Sequence, residues 1–152
     1  MICAKGESME YKKIGENYYI RMDRGDMVVS RILDICRSEG IKSAIFSGIG
    51  GCSLAQIQTF IPEKGEFETE EVKGMLELVS LTGNVVTDSD NVLHHHTHAI
   101  FAYKDSCGHQ TIGGHLKETT VLYTAEIELR PTVGGFIGRK YNEETGTGFW
   151  EF

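Results

Sequence analysis

The chain has 152 residues, 18 glycines, two prolines and a formal net charge of −7. That length suits one domain with a hydrophobic core of its own, and glycine without proline suits a strand-rich fold with tight turns. The acidic balance argues against a protein that coats nucleic acid by bulk charge, because phosphate binding needs a basic surface.

The first eight residues are expected to be disordered, with Met9 available as an alternative start. The segment YKKIGENYYIRM then reads as two short strands around Gly15, or as one strand entered by a turn. In RGDMVVSRILDICRSEGI the apolar residues Val28, Ile32, Ile35 and Cys36 recur at helical spacing. They predict one long helix over about Met27 to Glu39, with Asp26 as N-cap and Gly40 as the C-terminal stop.

Beyond Gly40 the period changes. SAIFSGIGGCSLAQIQTFI reads as a strand, a kink at Gly48 to Gly51, and a second strand. GEFETEEV and GMLELVSLTGNVV follow as separate strands, then VLHHHTHAIFAY and HQTIGGHLK around the turn-like KDSCG. TTVLYTAEIELR alternates, with Val121, Tyr123, Ala125, Ile127 and Leu129 on one face, and Pro131 stops it. In the glycine-rich tail, Phe149, Trp150 and Phe152 are the residues that would pack it back onto the body. Strands in succession with one long helix predict an α+β domain on a mostly antiparallel sheet, and the short connections rule against βαβ units.

The four cysteines Cys3, Cys36, Cys52 and Cys107 form no C-x-x-C pair, and Met1 to Glu7 lacks a basic region followed by an apolar run. They read as reduced packing residues of a cytoplasmic protein, with Cys107 in a turn and exposed. No apolar run is long enough to span a bilayer. Lys12, Lys13, Arg21 and Arg24 could make a local basic patch, but such residues more often form a solvated face.

Four of the six histidines fall within positions 94 to 98. Alternate side chains of a strand share a face, so His94, His96 and His98 point one way and His95 the other. Same-face neighbours are about 6.6 Å apart, close enough to share an ion, whereas His94 and His98 are about 13 Å apart. A third ligand must therefore come from the next strand. If the hairpin centre lies between Ser106 and Cys107, His98 stands opposite His115; one residue earlier, His96 does. A centre on a residue would pair Thr97 with His115 and turn its ring away. His109 lies about 20 Å from His115 along a strand and is excluded. Gly113 and Gly114 leave room beside His115 for a ligand or a close backbone. The candidate site is His96, His98 and His115, with His94 as an additional ligand. Three neutral imidazoles leave one position of a tetrahedral ion open, which suits Zn2+; nickel, iron and copper also accept imidazole. The competing reading is a polar strand face without metal.

Four pieces in order, RGDMVVSRILDICRSEGIKSAIFSGIGG, LELVSLTGNV, HHTHAIFA and IGGHL, resemble the plants-and-prokaryotes-conserved (PPC) domain over about Tyr18 to Leu129. The resemblance implies a single PPC-like domain over 9–152, a mostly antiparallel sheet and a homotrimer. The family's H-x-H falls on His96 and His98, and its G-G-H-L on Gly113 to Leu116. Plant members carry an AT-hook before the domain; this chain has no Arg-Gly-Arg core or basic run, so DNA binding by that route is not expected.

Two functions follow. One is a non-enzymatic, metal-binding trimer with a regulatory role, DNA being a possible partner that the net charge does not favour. The other is a zinc-dependent enzyme on an unknown small substrate, in which Glu77 would be the general base; a solvated or ion-paired Glu77 is the plainer reading.

Overall fold

A computed structural model describes residues 9–152. The expectation for the first eight residues, and Cys3, lie outside them. Two short strands, β1 (Glu10–Ile14) and β2 (Asn17–Asp23), precede the helix α1 (Val28–Ser38). Four long strands follow: β3 (Ala44–Ile61), β4 (Glu66–Asp88), β5 (Leu93–Asp105) and β6 (Gly108–Pro131). The chain ends in a hairpin, β7 (Gly138–Asn142) and β8 (Thr147–Glu151).

The helix has 11 residues, so it is short, not long. Its start differs from the sequence expectation. Met27 holds the cap position and makes no side-chain cap hydrogen bond. The carboxylate of Asp26 instead accepts from the Asp23 backbone N–H and pairs with Arg31. The capping group comes from Glu118 on β6, whose two carboxylate oxygens accept from the backbone N–H groups of Val29 (2.8 Å) and Ser30 (2.9 Å). A negative group there meets the positive end of the helix dipole. The other end behaves as expected. Gly40 has φ 66°, and the Ile41 N–H reaches back to the Cys36 carbonyl at 2.8 Å, a left-handed stop that returns the chain to the sheet.

Several predicted breaks are absorbed inside longer strands. The glycines at 48–51 do not split β3; they accompany register shifts between Gly48 and Gly50 and between Cys52 and Leu54. A Cβ at Gly48 would lie 2.5 Å from the Glu126 carbonyl oxygen, so glycine is needed there for close approach of β6. GEFETEEV and GMLELVSLTGNVV are one strand, β4, and HQTIGGHLK runs on into TTVLYTAEIELR as β6. Tyr123 was expected inside with Val121 and Ala125, yet it is 63% exposed. Cys52 pairs with Val121 and Gly50 with Ala125, so two steps on β3 face four on β6, and the alternation breaks.

β3 pairs with β4 and β6, and β5 also pairs with β4 and β6, so these four strands close on one another. β1 and β2 extend the sheet from β6. All pairings are antiparallel except that of β4 with β7. The helix packs over β6 and β5. Val28, Ile32 and Ile35 from the helix meet Met22, Leu76, Leu81, Phe101, Leu116 and Leu129 in one buried core. Each such side chain is worth about 1.5–3 kcal/mol. Cys36 and Cys52 are buried free thiols in this core, while Cys107 is exposed as expected. Among the described residues, no helix is long and apolar enough to cross a membrane.

Candidate metal centre

The β5–β6 hairpin has its centre between Ser106 and Cys107, with Asp105 paired to Gly108. His98 therefore stands directly opposite His115. This parity sends both imidazoles to one face, and His96 joins them two residues away on β5. The ring centroids of His96, His98 and His115 are 5.1, 5.2 and 5.5 Å apart. One ligand nitrogen from each lies within 4.8 Å of the others.

The backbone that delivers His115 depends on the two glycines before it. A Cβ at Gly113 would fall 2.6 Å from the Ala99 carbonyl oxygen, and Gly114 takes φ 150°. Here β6 leaves β5 and joins β3, with His115 paired both to His98 and to Gln58. From β4, Phe67 stacks on His115 at 5.0 Å, and Phe60 of β3 meets Phe67 edge-on at 5.3 Å. An aromatic wall thus holds one ring of the triad.

This setting disfavours protonation of two of the rings. Burial, and then the neighbouring His96, His98 and His95, push His115 down to about 4. Burial, and then His98, lower His96. Neutral imidazoles have a lone pair to give to a cation. Among the described residues, the ring nitrogens of His96 and His98 face each other at 3.3 Å and no carboxylate joins the cluster. Three imidazole donors with no carboxylate among them fit a borderline ion such as zinc, and leave a coordination position free.

The other candidates lie elsewhere. His94 pairs with Asp88 at 2.7 Å and is outside the triad. His95, on the opposite face of β5, hydrogen-bonds Thr97 Oγ1 at 2.9 Å. His109 pairs with Lys104 near the hairpin tip. Glu77 stands between Gly51 and Ala102 and lines a different cavity with Ile49, Met75 and Tyr123. Of the candidate basic patch, Lys13 pairs with Glu16, Arg21 with Glu10 and Asp23, and Arg24 donates to the Leu122 carbonyl.

Sequence reasoning missed the surroundings of the triad. A cavity of about 490 Å³ opens beside His96 and His115, and Phe60, Phe67 and Arg139 line it. The turn of the β7–β8 hairpin, residues 145–148, also lines it. The hairpin's glycines signalled a turn, but nothing local said that β7 would attach to β4 at Thr87 and Asp88.

The family model of the Plants and Prokaryotes Conserved (PCC) domain matches residues 9–132. A plant- and prokaryote-conserved protein from Pyrococcus horikoshii is 33% identical, with a TM-score of 0.78 over 97% of this chain and 96% of that one. A metal-containing protein from Archaeoglobus fulgidus is 30% identical, with a TM-score of 0.79 over 97% of this chain and 100% of that one. A candidate DNA-binding protein from Bacteroides thetaiotaomicron, 23% identical, shares the fold with a TM-score of 0.86 over 96% and 99%. No curated protein matches the chain.

Proposed function

We propose that this chain, which belongs to the Plants and Prokaryotes Conserved domain family, is a metal-binding module that holds one zinc ion per subunit through His96, His98 and His115. The observation that carries the reading is the convergence of three ligand nitrogens within 4.8 Å, from two strands, with burial disfavouring protonation of His96 and His115. The related Archaeoglobus fulgidus protein is a metal-containing one, which agrees with it. Among the described residues no carboxylate joins the cluster as a base, which favours binding and regulation over catalysis.

The module works as a homotrimer. Ile49, Met75, Val79 and Tyr123 are exposed together around a cavity of about 500 Å³ on the outer face of the sheet. An apolar surface of this kind is what a second copy would cover. The free thiols Cys36, Cys52 and Cys107 fit a reducing, cytoplasmic setting.

The test is metal analysis of protein purified without a tag, before and after His98→Ala and His115→Ala. One zinc per chain in the wild type, lost in both variants with the fold kept, supports the site; equal metal in all three refutes it. Sedimentation at three times the chain mass supports the trimer, and sedimentation as a monomer refutes it. DNA contact is the second role, suggested by the family and not by the paired basic residues. It requires retention on DNA that falls steeply with salt.

A further inference from the structure

The cavity beside the triad has an unusual lining for an acidic chain. Its lining includes Arg139, His96 and His115, with no carboxylate among the lining residues, although the chain carries a net charge of −7. Arg139 is only partly exposed and forms no ion pair among the described residues. Its guanidinium lies against the backbone of the β8 turn, where a Cβ on Gly148 would fall 2.2 Å from Cζ. Glycine at that position lets the planar fork rest flat at the cavity wall.

Two phenylalanines supply the apolar part of the lining. Phe60 and Phe67 pack edge to face, and Phe67 stacks on His115. The volume, about 490 Å³, is in the range of small-molecule sites. An arginine and two phenylalanine rings lining one such space suit a ligand with an anionic head and a planar apolar body. The β7–β8 hairpin that supplies Arg139 lies beyond the residues matched by the family model.

We propose that this cavity binds a small aromatic carboxylate, its carboxylate held by Arg139 and its ring lodged against Phe60 and Phe67. The inference deepens the metal reading, because the anion would lie beside the ion held by the triad; the arginine contact stands without it. Carboxylate recognition by a guanidinium uses two parallel N–H···O bonds, which a neutral amide cannot reproduce.

The experiment titrates untagged, zinc-loaded protein and zinc-free protein with benzoate, benzamide and inorganic phosphate. Binding is followed by calorimetry and by the Arg139 Nε–H resonance. Benzoate should bind and shift that resonance, benzamide should bind about 10- to 100-fold more weakly, and Arg139→Gln should lose benzoate affinity by a similar factor. Zinc content should be unchanged in Arg139→Gln. Benzoate binding equal in wild type and Arg139→Gln, benzamide binding equal to benzoate, or phosphate binding tighter than benzoate would each overturn the proposal. A wild type without zinc whose benzoate site is still abolished by Arg139→Gln would sink the metal reading alone and leave the carboxylate site standing.

Discussion

Glu118 and His115 sit three residues apart on β6, and they do opposite things with their lone pairs. The Glu118 carboxylate is satisfied within the chain, by the N–H groups of Val29, Ser30 and Thr119 and by the Ser30 hydroxyl. It is buried and its work is finished on folding. The imidazole of His115 lies against three other rings, those of His96, His98 and Phe67. One cluster closes on itself and holds a helix; the other brings three imidazole rings to a common point. Conspicuous residues such as four crowded histidines do not by themselves make a site; unspent lone pairs aimed at a common point do.

Breaking the closed cluster should cost the most. Glu118→Ala removes the helix cap and leaves two buried N–H groups unsatisfied, a loss of about 3 kcal/mol. For a domain of this size the thermal midpoint should fall by roughly 6–12 °C, read by circular dichroism. Zinc stoichiometry should survive in the folded fraction.

Breaking the open cluster should do the reverse. His115→Ala should weaken zinc binding by at least about 100-fold, since even outer-shell partners of a ligand are worth 10- to 100-fold. The metal-free midpoint should move little, because the ring is not part of the core. A competition titration with a chromophoric chelator measures the first, and a thermal melt without metal the second.

Acid sharpens the difference. His115 is held near 4 and His96 is lowered, while an unfolded histidine titrates at about 6.5. The unfolded chain therefore binds more protons between those values, and metal-free stability falls as pH drops from 6.5 towards 4. Above 6.5 both states are neutral and the contribution is flat. Because the rings are partly exposed the slope is shallow; His115→Gln should flatten it further, as seen in midpoints taken at half-unit steps of pH. The smallest effect belongs to His94→Ala. It breaks only the surface pair with Asp88, so the midpoint should barely move and zinc content should be unchanged.

The triad was legible in the sequence because strand geometry is strict. A period of two and one hairpin centre fix which of His94 to His98 can meet His115, and the structure selects the centre between Ser106 and Cys107. The helix C-terminus was equally plain, since Gly40 is the residue type that a left-handed stop demands. What was not legible depended on distant parts of the chain. Asp26 resembled a cap, but the capping carboxylate comes from Glu118, about 90 positions away. Tyr123 followed a clean alternation until four residues of β6 were set against two of β3. The glycines at 48–51 looked like a break and instead permit close strand contact. Arg139 could not be placed at all without knowing that β7 lies against β4.

The most direct measurement is an anomalous difference map, collected on either side of the zinc edge, from crystals of untagged protein. A triad that holds zinc gives a peak among the rings of His96, His98 and His115 that vanishes below the edge. Density that is absent there, or that sits instead at His94 and Asp88, would contradict a metal site built from these two strands.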